Sequence, residues 1–240
     1  MKASFAAKTL ALARKDLVLE WRGRDTLPPM LAFSLAVTLL LAFTLPDPGS
    51  LAAPAAVPFG TVALADVLAG FLWVTVLFAG LIGFARTFEA ERADGALDAL
   101  LLAPLDRAGL FASKALANLA YLIAVEAFLL PLFALLFGLD LGAGWLALLA
   151  VVALADVGLT SLGTLFAALA AQTRSRELML PLLALPALVP VVIAATELTS
   201  DLFLGLPFSA LVGRGWFGLL GFAALLSALA GALTFEFALD

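Results

Sequence analysis

Six apolar runs, each about the length a helix needs to cross a lipid bilayer, constrain what this 240-residue chain can fold into. They are Leu27–Leu45, Ala63–Ala85, Ala115–Phe137, Trp145–Ala171, Leu178–Ala195 and Trp216–Phe235. The runs are continuous rather than alternating, which favours helices over barrel strands, because an open strand in lipid leaves backbone groups without partners. Hydrophobic residues make up 64% of the chain and charged residues 13%, against about half and about a quarter in soluble domains. A soluble chain of this length cannot hide so much apolar surface in one core. The expected fold is an all-α polytopic membrane protein: six transmembrane helices in a single domain spanning residues 1-240.

Cations set the orientation. Six precede the first run (Lys2, Lys8, Arg14, Lys15, Arg22, Arg24), four lie between runs two and three (Arg86, Arg92, Arg107, Lys114), and two between runs four and five (Arg174, Arg176). With six crossings these twelve share one side, and Arg214 alone sits on the other. By the positive-inside rule both termini are expected in the cytoplasm. No cleavable signal peptide is expected, since the N-terminal charges are scattered and no short apolar core precedes a cleavage site.

Residue types that are missing narrow the chemistry. The chain has no His and no Cys, which removes disulfides, thiol catalysis, imidazole general bases and the usual zinc sites. No catalytic residue and no metal site is therefore expected. No G-x-x-x-x-G-K-[ST] motif is present to cradle nucleotide phosphates. The net charge of −5 resides in loops rather than on one face, so no nucleic-acid partner is expected. Asn118 and Gln172 are the single residues of their types.

Outside the runs, residues 1-26 place Leu10, Ala13, Leu17 and Trp21 at helical spacing, with Arg14, Lys15, Asp16 and Glu20 off that face. This pattern reads as a helix lying on the inner leaflet, with Trp21 at headgroup depth; the competing reading is an ordinary charged tail. Four prolines between runs one and two (Pro46, Pro48, Pro54, Pro58) mark an outer turn. The outer segment 196-215 is partly apolar and reads as a short re-entrant or interfacial piece. Pro181, Pro186 and Pro190 should kink the fifth run. No internal repeat of the transporter kind is evident.

The charged loop 86-114 carries most of the functional information. Glu89, Glu91 and Asp94 precede Gly95 and a helical pattern; Asp94 suits an N-cap, and carboxylates favour the positive end of a helix. Leu97, Leu100 and Leu101 then form an apolar stripe, and Pro104 closes it. Such a short element, anchored at both ends to a span, would move both spans when pushed, and its stripe would fit a groove on a partner. The alternative is an interfacial helix that tucks against the membrane.

The run from Phe88 to Pro104, FEAERADGALDALLLAP, resembles the signature of the B subunit of the cytochrome c maturation haem exporter, a permease of the ATP-binding-cassette class. Phe88, Glu91, Asp94, Gly95, Leu97, Leu100 and Pro104 match that family's pattern, as does Lys114 at the start of the next span. A second stretch with Pro186 and Pro190 resembles the family's fifth span, so the likeness covers essentially the whole chain. It implies a fold of the ABC-2 exporter kind, with Glu89 to Pro104 as a coupling helix seated in the groove of a separate ABC ATPase subunit. It implies two ATPase copies and two permeases, a homodimer, in the cytoplasmic (inner) membrane of a bacterium. A haem-handling membrane subunit with a small helper and a periplasmic haem chaperone complete the implied complex. The chain itself would be no enzyme and would bind no cofactor directly: ATP acts through the partner, and haem meets this subunit, if at all, without His or Cys ligation.

Two acids lie inside the spans, Glu126 near the middle of run three and Asp156 near the middle of run four. No Lys or Arg lies in either span interior. A bare carboxylate at that depth is expensive, so each is expected to be protonated, hydrogen-bonded or facing a wet cavity. One reading is a proton-linked or polar path, as in a secondary carrier. The other is a neutral acid bonding to Thr160, Ser161 or a backbone carbonyl and gluing helices. Asp66 and Glu197 lie nearer the outer boundary and are expected to be solvated. Gly163, Ala167 and Ala171 form a small-residue row that permits close helix contact, within the subunit or between copies. A structural subunit of a larger membrane complex is the third reading of the chain as a whole.

Overall fold

A computed structural model describes residues 5–45, 54–57, 60–89, 107–139, 142, 144–171, 173 and 176–235. Helix α1 runs Phe5–Gly23 and α2 Leu27–Thr44; a hairpin of β1, Pro54–Val57, and β2, Gly60–Ala63, follows. Then come α3, Leu64–Ala85; α4, Arg107–Phe137; α5, Gly144–Ala171; α6, Arg176–Phe203; the short α7, Phe208–Val212; and α8, Gly215–Thr234. The strands pair antiparallel, Pro54 opposite Ala63 and Val57 opposite Gly60, within the proline-rich turn between the first two spans.

Among the described residues, six helices, α2, α3, α4, α5, α6 and α8, are long and apolar enough to cross a membrane. Helices α3 and α5 form the centre, with 67% and 61% of their apolar windows buried, whereas α2 and α8 bury only 22% and stand outside. Helix α5 packs on α6 and α8, and α3 on α6. Large apolar side chains point outward along the spans, among them Phe43, Leu135, Leu146 and Leu233. In water that surface would aggregate; in lipid it is the solvent contact, because no hydrophobic force drives Leu away from acyl chains. The chain is a multi-pass membrane protein.

Helix contact is tightest at two glycines. A Cβ at Gly163 would lie 2.3 Å from the Phe84 ring, and one at Gly231 would lie 2.1 Å from that of Phe111. Gly163, Ala167 and Ala171 thus lie against other elements of the same chain: Gly163 receives Phe84 of α3, and both alanines are buried.

The helices exceed the apolar runs at two places. Helix α4 begins at Arg107 rather than at Ala115, so Lys114 sits two turns inside it, and α6 continues past Ala195 to Phe203. The two added turns of α6 are largely polar, but their side chains find partners: Trp73 Nε1 donates to Thr199 Oγ1 at 2.9 Å, and Ser200 Oγ donates to Asp66. Helix α6 stays continuous through Pro181, Pro186 and Pro190, and α4 contains Pro131. Interior prolines are tolerated in spans where neighbouring groups satisfy the freed carbonyls.

Candidate functional site

Contacts among chain ends define one side of the bundle. Phe235, at the end of α8, packs on Phe88 just past α3 (ring centroids 6.2 Å apart) and on Phe111 in α4 (5.3 Å). Asp16 of α1 meets Lys114 of α4. The end of α3, the start of α4, α1 and the end of α8 therefore share one face of the molecule, where the loop 90–106 begins and ends.

Helix α1 turns a mixed stripe to the protein. Thr9 and Ala13 are buried, and Asp16 and Glu20 are half-buried on the same side. Leu10, Leu17 and Trp21 are exposed, Trp21 to 83%. Ala13 therefore departs from the apolar face expected of it and packs inward; the other three keep that face and turn it away from the bundle. Asp16 Oδ2 lies 3.0 Å from Lys114 Nζ, and Oδ1 lies 3.1 Å from Lys15 Nζ. The Tyr121 hydroxyl donates to the Asp16 backbone carbonyl at 3.3 Å.

Glu20 caps α2. Its Oε1 accepts the Thr26 and Leu27 amides at 3.0 and 2.7 Å, while Thr26 itself makes no side-chain cap. The first amides of a helix have no intrahelical partner, and a carboxylate there also complements the helix dipole. An acid that reads in sequence as part of the polar side of a surface helix is thus the start signal of the first span.

The root of the loop is clamped. Phe88 is buried, with Lys114 Nζ 5.6 Å from its ring centre. Glu89 sits 3.9 Å from Arg86 across an exposed pair, a contact worth little by itself. Asn118 Nδ2 donates to Thr164 Oγ1 of α5 at 2.8 Å and to Thr87 Oγ1 at 3.1 Å, so the single Asn of the chain joins α4, α5 and the end of α3. A cavity of about 420 Å³ opens among these groups, bordered by Asp16, Glu20, Arg86, Glu89, Lys114 and Asn118. A second recess of about 300 Å³ lies beside it, against Phe84, Phe88, Ala167, Ala171 and Leu180. Of the residues singled out for coupling, Phe88 and Glu89 belong to this root; Glu91, Asp94, Gly95, Leu97, Leu100 and Pro104 lie outside the described residues.

The two acids of the spans come together. Glu126 and Asp156 are 2% and 1% exposed and lie near each other where α4 packs on α5. Glu126 Oε1 and Oε2 and Asp156 Oδ1 have no hydrogen-bond partner among the described residues. Thr160 Oγ1 donates to the Asp156 backbone carbonyl at 2.6 Å, so this hydroxyl serves the backbone and not the carboxyl. On the opposite side of the bundle, Arg214 pairs with Asp201. Asp66 is exposed, as expected, and accepts the Ala63 amide at 3.1 Å, and Glu197 is exposed as well.

The family model described as CcmB protein matches residues 7–238. The chain belongs to the CcmB protein family. Among CcmB relatives, Heme exporter protein B of Rhodobacter capsulatus is 33% identical over 207 residues, covering 85% of this chain and 89% of the relative. Heme exporter protein B of Paracoccus denitrificans is 35% identical over 187 residues, covering 78% and 80%. That of Haemophilus influenzae is 28% identical over 237 residues, covering 96% and 98%. The CcmB match takes in α1 from Ala7, the loop root and all six spans, so the clamp around Phe88 and Lys114 lies within the family's shared length.

Four residues of this CcmB site carry no signal in the sequence: Asp16 and Glu20 as inward-facing partners, and Phe111 and Phe235 as the aromatic clamp. Asn118 carries one usable signal, a lone carboxamide in an apolar helix, which in lipid marks an interhelical bond.

Proposed function

We propose that this chain is the membrane permease subunit of an ATP-driven complex in cytochrome c biogenesis. The complex couples ATP hydrolysis by a partner ATPase to haem export or to release of a haem-loaded periplasmic chaperone. The permease carries out no chemistry; two ATPase copies act on a permease homodimer, joined by a haem-handling membrane subunit and its small helper. Both termini and the loop 90–106 face the cytoplasm of a bacterial inner membrane. Twelve cations on that side against Arg214 on the other support this orientation.

The observation that carries the reading is the double clamp on the loop. Its entering end is held by Phe88 on Phe235, its leaving end by Lys114 on Asp16. Packed aromatic and ionic contacts are stiff, so a displacement of the loop passes into α3, α4, α8 and α1 together. The names of the relatives supply the cargo class. Haem, as cargo, meets this chain without His or Cys ligands, since it has neither.

The test is ATP turnover of the purified complex with Asp94→Ala or Leu97→Ala. Both variants insert normally, and permease-stimulated turnover or ATPase co-purification falls about ten-fold, the effect of losing about 1.4 kcal/mol at the interface. Wild-type assembly and turnover in both variants would remove the coupling role. A second reading, a proton-coupled carrier, rests on the buried neighbours Glu126 and Asp156. It requires the lone chain in liposomes to respond to a pH gradient; pulling down an ATPase favours the first reading.

A further inference from the structure

Helix α1 separates its charges by side. Both acids, Asp16 and Glu20, turn toward the protein, where Lys114, Lys15 and the Thr26 and Leu27 amides occupy their carboxylates. Arg14, Arg22 and Arg24 are exposed and form no side-chain ion pair or hydrogen bond among the described residues. The side chains beside them, Leu10, Leu17 and Trp21, are apolar and exposed to 66%, 37% and 83%.

Where α1 meets the first turn of α2, a groove of about 350 Å³ runs between Leu17, Trp21, Leu27, Pro28 and Tyr121, with Arg24 among its lining residues. Leu27 and Pro28 begin a membrane span, so the groove lies at the boundary between headgroups and acyl chains of the leaflet on the terminal side. Lipid is what fills an apolar recess at that depth. Glu20 also borders the groove, but its oxygens are engaged by two backbone amides. The available charge at the groove is therefore the Arg24 guanidinium, which matches a phosphate in a bidentate manner. Arg14 and Arg22 add positive potential on the same helix.

We infer that this groove is a binding site for one anionic glycerophospholipid of that leaflet, its phosphate on Arg24 and the start of an acyl chain against Leu17, Trp21, Leu27 and Tyr121. The site selects anionic over zwitterionic lipid and holds α1 against α2 and α4. It is independent of whether an ATPase acts on the loop.

Trp21 is a built-in reporter. The full chain is reconstituted in phosphatidylcholine vesicles containing phosphatidylglycerol with brominated acyl chains, and the difference in quenching between the native chain and Trp21→Phe isolates the Trp21 signal. A parallel series carries the bromines on phosphatidylcholine. The expected result is enrichment of phosphatidylglycerol at Trp21 by about five-fold over its mole fraction, the factor corresponding to about 1 kcal/mol for one surface cation. Arg24→Asn abolishes the enrichment, Arg24→Lys retains part of it, and Arg22→Gln, with the same net charge as Arg24→Asn, keeps most of it. Arg24 has φ 58°, a conformation Asn adopts readily, so the Asn variant leaves the backbone unstrained. Equal quenching of the native chain by the two brominated lipids would overturn the site, with no Arg24 variant needed. Equal losses of enrichment in Arg24→Asn and Arg22→Gln would overturn it as well.

Discussion

Lys114 Nζ lies 3.0 Å from Asp16 Oδ2, with the lysine side chain 5% and the aspartate 12% exposed. This pair ties α1 to a span it does not adjoin in sequence, at the level where the charged loop leaves and rejoins the bundle. A cation two turns inside a membrane helix is costly without a counter-charge, so each partner specifies the position of the other.

Removing one partner leaves a desolvated charge behind. Lys114→Met and Asp16→Asn should each destabilise the chain by up to about 3 kcal/mol, the low end for a buried pair because Asp16 keeps some solvent and Lys15. The double variant should be less destabilised than the sum of the two. Thermal unfolding of the four proteins in one detergent measures the coupling, and strict additivity would show that the pair is not an energetic unit.

Glu20 acts through its two carboxylate oxygens on the α2 amides. Glu20→Ala should cost about 1 kcal/mol and speed hydrogen exchange at Thr26 and Leu27. Glu20→Gln, which keeps one acceptor without the charge, should fall between. Unchanged exchange at both amides in Glu20→Ala would reject the cap.

At Gly231 the new methyl meets a ring held in an aromatic cluster, so Gly231→Ala should destabilise by about 1–3 kcal/mol through overpacking. Phe111→Leu in the same chain should recover part of the loss by clearing the space. Melting temperatures of the single and double variants decide it, and a neutral Gly231→Ala would mean that α8 and α4 are farther apart than the Phe111 contact implies.

For Glu126 and Asp156, the expected outcome under the ATP-driven reading is tolerance of amides. Glu126→Gln and Asp156→Asn keep shape and hydrogen-bonding capacity while adding no buried charge, so both should assemble and support cytochrome c maturation at near wild-type levels. Glu126→Ala should lower thermal stability by about 1–3 kcal/mol through the space it leaves. Loss of maturation in either amide variant, with normal assembly, would favour proton carriage instead.

Much of this architecture is legible from composition and run length. Backbone groups in lipid must be satisfied within the segment, so long apolar runs leave little choice but helices. Helix ends are harder to read. Arg107–Lys114 and Thr196–Phe203 are helical although their residues look like loop, because Lys114 finds Asp16, and Thr199 finds Trp73, across the fold. A sliding hydropathy pattern contains no information about such distant partners. The same limit applies to α1: its period is visible, but which stripe faces protein is not, since Asp16 and Glu20 read as solvated until Lys114 and the α2 amides are placed beside them.

What the chain alone determined is its solvent and its orderly crossing of it: six apolar stretches, cations crowded to one side, no thiolate or imidazole to ligate haem, and a loop motif of one family. Only the folded molecule decided how that loop is held. Phe88, Phe111 and Phe235 are remote in sequence and each would serve equally well facing lipid; so would Asp16 in water. Helix packing brought them together, because in a bilayer the apolar effect does not distinguish core from surface. Close van der Waals fit at Gly163 and Gly231, and pairing of the few polar groups, then select one arrangement of the helices.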